Sequence, residues 1–195
     1  WFLMLWFMLF SLHLFFIYFF EGASKMHVIF TKIVGLLHGP FLLFYTRLAF
    51  NIPFKIKSLI HFLIFIAFLL CAFLINEKHN MLYEGVLITA KIIMLFSYSL
   101  YVRIWLIKKL KSFKKLRADN FYIDTQWISI AALMLLIYSV IRTLHFFSHF
   151  VFNTHFSSVI DVLMYVCIFM VIGFYGLKFK VVYDTTTEID KTIKI

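Results

Sequence analysis

Six stretches of this chain are each long and apolar enough to cross a lipid bilayer, and no other feature constrains the fold as much. A spanning helix needs about 20 mainly apolar residues. The runs cover approximately Trp1 to Phe20, Val28 to Phe50, Ser58 to Ile75, Leu82 to Ile107, Trp127 to Phe147 and Val159 to Leu177. In lipid every backbone polar group must find an internal partner, so each run must be a helix or a strand of a closed barrel. Their length and the lack of ten-residue alternation exclude the barrel. The expected fold is therefore all-α, a polytopic transmembrane helical bundle with six spans in these residues. Trp1 is already mid-membrane in character, and one further helix before it would make seven.

The balance of residues agrees. Hydrophobic residues make up 64% of the 195 positions and charged ones 14%. Soluble domains sit near half and a quarter, and a soluble fold of this size has too small an interior for so much apolar surface. The net charge of +10 is explained by where Lys and Arg stand. Arg47 stands at the end of the second run, and Lys55 and Lys57 follow it. Lys108, Lys109, Lys111, Lys114, Lys115 and Arg117 follow the fourth, and Lys178, Lys180, Lys191 and Lys194 the sixth. If all six runs span, these segments share one side, while the other connections carry only Lys25 and Lys78. An excess of bases marks the cytoplasmic face. That puts the segment after the sixth run, and with it the C-terminus, on the cytoplasmic side. The segment Lys108 to Gln126 reads as a basic loop that extends the fourth helix and touches lipid headgroups. Residues 1–183 form the membrane domain and 184–195 a polar cytoplasmic connector.

Ionisable groups inside a span are costly, so each is a site hypothesis. They are His13, Lys32, His38, His61, Glu84, Lys91, Arg142, His145 and Asp161. Most fall in the outer half of the membrane on the topology above. Lys32, Glu84, Lys91, Arg142, His145 and Asp161 would together line an outward-facing polar cavity for an unknown anionic or polar ligand. The plainer reading of Lys32 and Arg142 is snorkelling to the interface on long stems; Lys91 lies too deep for that to be easy. His145 and His149 are spaced i, i+4, but no HExxH pattern accompanies them, and they read as interfacial rather than as a metal site. Gly39 and Pro40 mark a kink and a candidate hinge in the second run. Tyr98, Tyr101 and Trp105 read as an interfacial aromatic belt. Cys71 and Cys167 stand alone and read as small buried hydrophobes. No nucleophile elbow, P-loop or working carboxylate pair is present; no cofactor or metal is expected, and an enzyme is not.

Several short motifs follow one another in a familiar order. Leu37-His38-Gly39-Pro40-Phe41-Leu42-Leu43-Phe44-Tyr45-Thr46-Arg47 is followed by Lys57-Ser58-Leu59-Ile60-His61-Phe62-Leu63. Then come the basic segment Leu110 to Phe121, Trp127 at the start of the next run, and Gly173-Phe174-Tyr175-Gly176-Leu177-Lys178. From about Trp1 to Tyr183 the chain resembles the polytopic membrane domain of Bacteroidota AraC-type helix-turn-helix transcriptional regulators. It departs from that pattern at Ile64, where the family has proline. The resemblance implies a membrane sensor whose signal leaves through the last helix to a cytoplasmic DNA-binding domain, which these residues do not include. DNA would be contacted only through that domain. Lipids, a second copy or a larger membrane complex are the other expected partners. The alternative is a non-catalytic accessory subunit of a membrane complex. A transporter is disfavoured by the lack of inverted repeats or paired broken helices.

Overall fold

The computed structural model describes residues 2–19, 33–50, 52–53, 55–74, 80–115, 119–152 and 158–178. Among these residues the regular structure is entirely helical. In chain order the elements are α1 (Phe2–Phe19), a 3-10 turn (Val34–Leu37), α2 (His38–Ala49), a second 3-10 segment (Ile56–Phe62), α3 (Leu63–Leu74), α4 (Asn80–Lys115), α5 (Asp119–Phe152) and α6 (Ser158–Lys178).

Among the described residues three helical stretches are long and apolar enough to cross a membrane: Ile56–Leu74, Leu82–Lys111 and Gln126–Ser148. The described apolar cores of α1 and α6, Leu3–Phe16 and Leu163–Tyr175, are shorter. The outer surface of the molecule is apolar as well. Met4, Met8, Phe19, Leu70, Phe73, Leu144 and Phe174 are all exposed. Side chains of this kind around the whole circumference suit hydrocarbon rather than water as the surrounding solvent.

The helices pack as a ring with one outlier. α4 and α5 make the most extensive contact; α2 lies on α4, α6 on α5, and α1 closes the circle against α6 and α2. Trp6, Phe10, Leu42, Leu106, Ile128, Leu135, Ile168 and Ile172 fill the inside of this circle. Ala131, Ala132, Ser129 and Ser139 are also buried, and such small residues let backbones approach closely where lipid supplies no hydrophobic drive. Towards the basic end the α4–α5 contact carries a polar clamp. Arg103 donates from Nη1 to the Ser129 carbonyl at 2.9 Å and to its hydroxyl at 2.8 Å. The outlier is α3, with no buried residue along its length. Its tie to the ring is the Tyr83 hydroxyl donating to the Phe68 carbonyl at 2.6 Å, beside a small core of Ile33, Leu36, Leu87 and Met94.

Several local features differ from the sequence expectation. The second run is wound in two ways, 3-10 to Leu37 and α from His38. Pro40 therefore sits in the first α-turn, where a missing N–H removes little. The change of winding falls directly before the Gly39-Pro40 pair. The helix stops at Ala49, where Phe50 and Ile52 N–H groups both donate to the Arg47 carbonyl and Pro53 cannot continue it. The segment Lys108 to Gln126, expected as a basic loop that extends the fourth helix, does extend it, to Lys115, and is helical again from Asp119. Lys and Arg are good helix formers, and Leu110 is buried in the core, so α4 continues past its apolar run instead of breaking. At about 1.5 Å per residue its 36 residues are much longer than the roughly 30 Å of hydrocarbon. Lys108, Lys109 and Lys111 are exposed on this extension; Lys114 and Lys115 continue it, and Arg117 lies outside the described residues. Cys71 and Cys167 are exposed on the apolar exterior, not buried. On a surface without water a small thiol needs no interior.

Candidate functional site

Each of the five ring helices contributes one polar or aromatic side chain to a single buried junction. α1 supplies His13, α2 His38, α4 Lys91, α5 Tyr138 and α6 Tyr165. His13 and His38 are 1% and 0% exposed, and His13 Nδ1 lies 3.1 Å from His38 Nε2. The two imidazoles stack, 6° from parallel. Phe10, one turn before His13 on α1, stacks on His38 at 4.1 Å between ring centroids.

Tyr165 is the hub. Its ring centroid is 4.9 Å from that of His13, 5.7 Å from His38 and 4.9 Å edge-on from Tyr138. The Lys91 ammonium stands 5.8 Å above the Tyr165 ring. Lys91 is partly buried, and a cation over an aromatic face gains from about 0.5 kcal/mol when exposed to about 2 kcal/mol when desolvated, which offsets part of the cost of a lysine at this depth. Gly35 on the 3-10 turn makes room for it. A Cβ there would run into Lys91 Cε and lie 2.6 Å from its Nζ. The lysine stem therefore crosses bare backbone.

The hydrogen bond between the histidines has a chemical consequence. One imidazole must donate and the other accept. If His38 accepts at Nε2, its proton sits on Nδ1; if it donates, Nδ1 is a bare acceptor. In both cases Nδ1 of His38 has no hydrogen-bond partner among the described residues. Leaving such a group buried costs about 1–3 kcal/mol. The two hydrogen-bonded imidazoles can hold a proton in alternative places, with the Tyr165 ring and the Lys91 ammonium beside them. Among the described residues no three His, Cys, Asp or Glu side chains stand together as a metal site.

Of the residues expected to line an outer cavity, Lys91 is at this junction. Glu84 lies about two turns from it on α4; Arg142 and His145 lie on α5 beyond Tyr138, by one and two turns. All three are partly buried and engaged with other groups. Asp161 lies in α6, four residues before Tyr165, and Lys32 lies outside the described residues. His13 and His38 were visible in the sequence as intramembrane histidines, but not as a pair. Tyr138 and Tyr165 gave no signal at all, since tyrosine is common in apolar helices. The chain matches no family model, no curated protein and no solved structure.

Proposed function

We propose that this chain is the membrane-embedded signal-input domain of a transcriptional regulator, crossing the bacterial inner membrane six times with its basic segments cytoplasmic. On this reading the signal leaves through α6 to a cytoplasmic AraC-type helix-turn-helix domain outside these residues. The resemblance of the motif order supplies the output. The observation that carries the input is the junction. Tyr165, on the last helix, is in contact with groups from four other helices, so a rearrangement of any of them bears on α6.

A stimulus transmits only if it favours one of two arrangements of the bundle. Alternative hydrogen bonding of the His13–His38 pair, with the 3-10 to α change next to Gly39-Pro40, offers two such arrangements. The polar ligand would enter from the outer side, where Glu84, Arg142 and His145 stand above the junction.

The test is a promoter reporter driven by the complete reading frame. His38→Gln and Tyr165→Phe should each change basal output or the response to stimulus several-fold, with protein abundance unchanged. Output and response that are indifferent to both substitutions would refute a sensing role for the junction. A reading frame with no DNA-binding domain would refute the regulator as a whole. The alternative, a non-catalytic accessory subunit of a membrane complex, is favoured by one feature, the exposed apolar outer face of α3.

A further inference from the structure

A second polar site lies away from the junction, at the basic end of the bundle. A cavity of about 410 Å³ is lined by Leu43, Arg47, His61, Ser97, Tyr98 and Tyr101. A smaller one of about 180 Å³ adjoins it and shares Leu43, Arg47 and Tyr101. Arg47 thus stands between the two, and the larger is of the size that small-molecule pockets usually have, about 300–1,000 Å³.

The walls are rigid and specific. Tyr98 is fixed by a 2.6 Å hydrogen bond between its hydroxyl and His61 Nδ1. It is also pressed against Gly39, where a Cβ would come 2.7 Å from its ring. Thr46 and Trp105 line the smaller lobe, with Phe50 edge-on to Trp105 at 4.9 Å. Arg47 is half-buried in the last turn of α2, and no carboxylate pairs with it among the described residues.

Depth identifies what meets this guanidinium. Twenty residues from Leu82, the length of a span, α4 reaches Tyr101 and Val102. Tyr98, Tyr101 and Trp105 therefore bracket the boundary between hydrocarbon and headgroups, and the cavity opens at that level. Lys55 and Lys57 at the start of the second 3-10 segment, and Lys108 and Lys109 two turns beyond Tyr101, are all exposed and add to the positive potential on the same side. An apolar-walled cleft with a forked cation at headgroup depth fits a phosphate whose ester carries acyl chains. Arginine grips such a group with two parallel hydrogen bonds.

We infer that the Arg47 cleft binds the phosphate of an anionic phospholipid from the basic-side leaflet. The inference rests on the chain lying in a bilayer, though not on the regulator reading. It makes lipid charge a determinant of how α2 and α4 sit together.

The test uses the purified protein in neutral detergent and in nanodiscs. Thermal stability and bound lipid, the latter by native mass spectrometry, are measured with phosphatidylglycerol, with phosphatidylcholine and with soluble glycerol phosphate. Phosphatidylglycerol should stabilise the wild-type protein and be retained in preference to phosphatidylcholine. Arg47→Gln should weaken that retention at least about tenfold, the scale of one lost charge-assisted hydrogen bond, and Arg47→Lys less. Equal retention of the two lipids by the wild-type protein, or unchanged preference in Arg47→Gln, would overturn the inference. Stabilisation by glycerol phosphate as strong as by phosphatidylglycerol would assign the cleft to a soluble phosphate and overturn the lipid source. Failure to enter nanodiscs would instead overturn the membrane reading. Because the first comparison needs only the wild-type protein, the inference stands or falls even if Arg47→Gln does not fold.

Discussion

Ile56–Leu74 and Gln126–Ser148 are both strongly apolar helical stretches of spanning length, with mean hydropathy 2.4 and 1.9, yet 6% of the first and 39% of the second is buried in the molecule. The more apolar one is on the outside. Hydropathy separates lipid from water, but it does not separate lipid from protein interior, because the two are about equally apolar. What draws α5 inside is its set of small and hydrogen-bonding residues. Ala131, Ala132 and Ser139 take up little room at buried positions, Ser129 holds Arg103 of α4, and Tyr138 reaches the junction. α3 carries Ala67, Cys71 and Ala72, but none of them is buried.

This contrast can be broken most directly with a phenylalanine from each region. Phe10 is fully buried and stacked on His38, whereas Phe73 is 63% exposed. Phe10→Ala should lower stability in detergent by about 3 kcal/mol, the lower end of the range for buried aromatic truncations, because in an apolar solvent only packing is lost. Phe73→Ala should stay within about 0.5 kcal/mol. Equal losses in thermal unfolding would mean that α3 is packed as firmly as the ring. The converse substitution probes the same difference from the other side. Ala132→Phe should destabilise by about 2 kcal/mol through overpacking, and Ala67→Phe on the exposed face of α3 by almost nothing.

The histidine pair sharpens the comparison at the level of chemistry. Replacing His13 by Ala removes the hydrogen bond at Nε2 of the His38 ring and should cost about 1–2 kcal/mol. The double replacement His13→Leu with His38→Leu should recover part of that loss, since no unpaired polar group then remains. A double-mutant cycle on unfolding free energies that shows strict additivity would mean that the two rings do not interact.

The helical class and the approximate helix positions were legible in the sequence because they follow from the length of apolar runs. The ends were less so. The run that begins at Ser58 opens with a 3-10 segment instead of an α-turn; α4 runs on to Lys115 as its basic end suggested, but the return of helix already at Asp119 was not marked by hydropathy. The junction was half legible. Histidine and lysine inside a span stand out by their solvation cost, so His13, His38 and Lys91 could be singled out one by one. That they meet is a property of the ring, which brings residues 13, 38, 91, 138 and 165 together from five helices, and no local spacing encodes that. Tyr165, the hub, is hidden by being an ordinary residue for its surroundings. Arg47 counted as one more basic residue on the cytoplasmic side, since a cleft between α2 and α4 leaves no trace in either helix alone.

The glycines provide the smallest effect and the cleanest sign. Gly35 and Gly85 lie at opposite extremes of crowding: a Cβ at Gly35 would strike the Lys91 side chain, and a Cβ at Gly85, inside α4, would meet nothing within 4 Å. Gly85→Ala therefore adds no clash, while it removes backbone freedom from the unfolded chain and restores helix propensity. It should stabilise the protein by about 0.4–1 kcal/mol. Gly35→Ala gains the same entropic term but must push the lysine stem off the turn, and with it the ammonium from its place above Tyr165. Its net effect should be destabilising, and it should vanish when Lys91 is replaced by Ala, which takes away the atoms that collide. Thermal unfolding of the three variants decides the matter. If Gly35→Ala is as stabilising as Gly85→Ala in the presence of Lys91, the lysine does not cross the turn at Gly35, and the junction loses its fifth member.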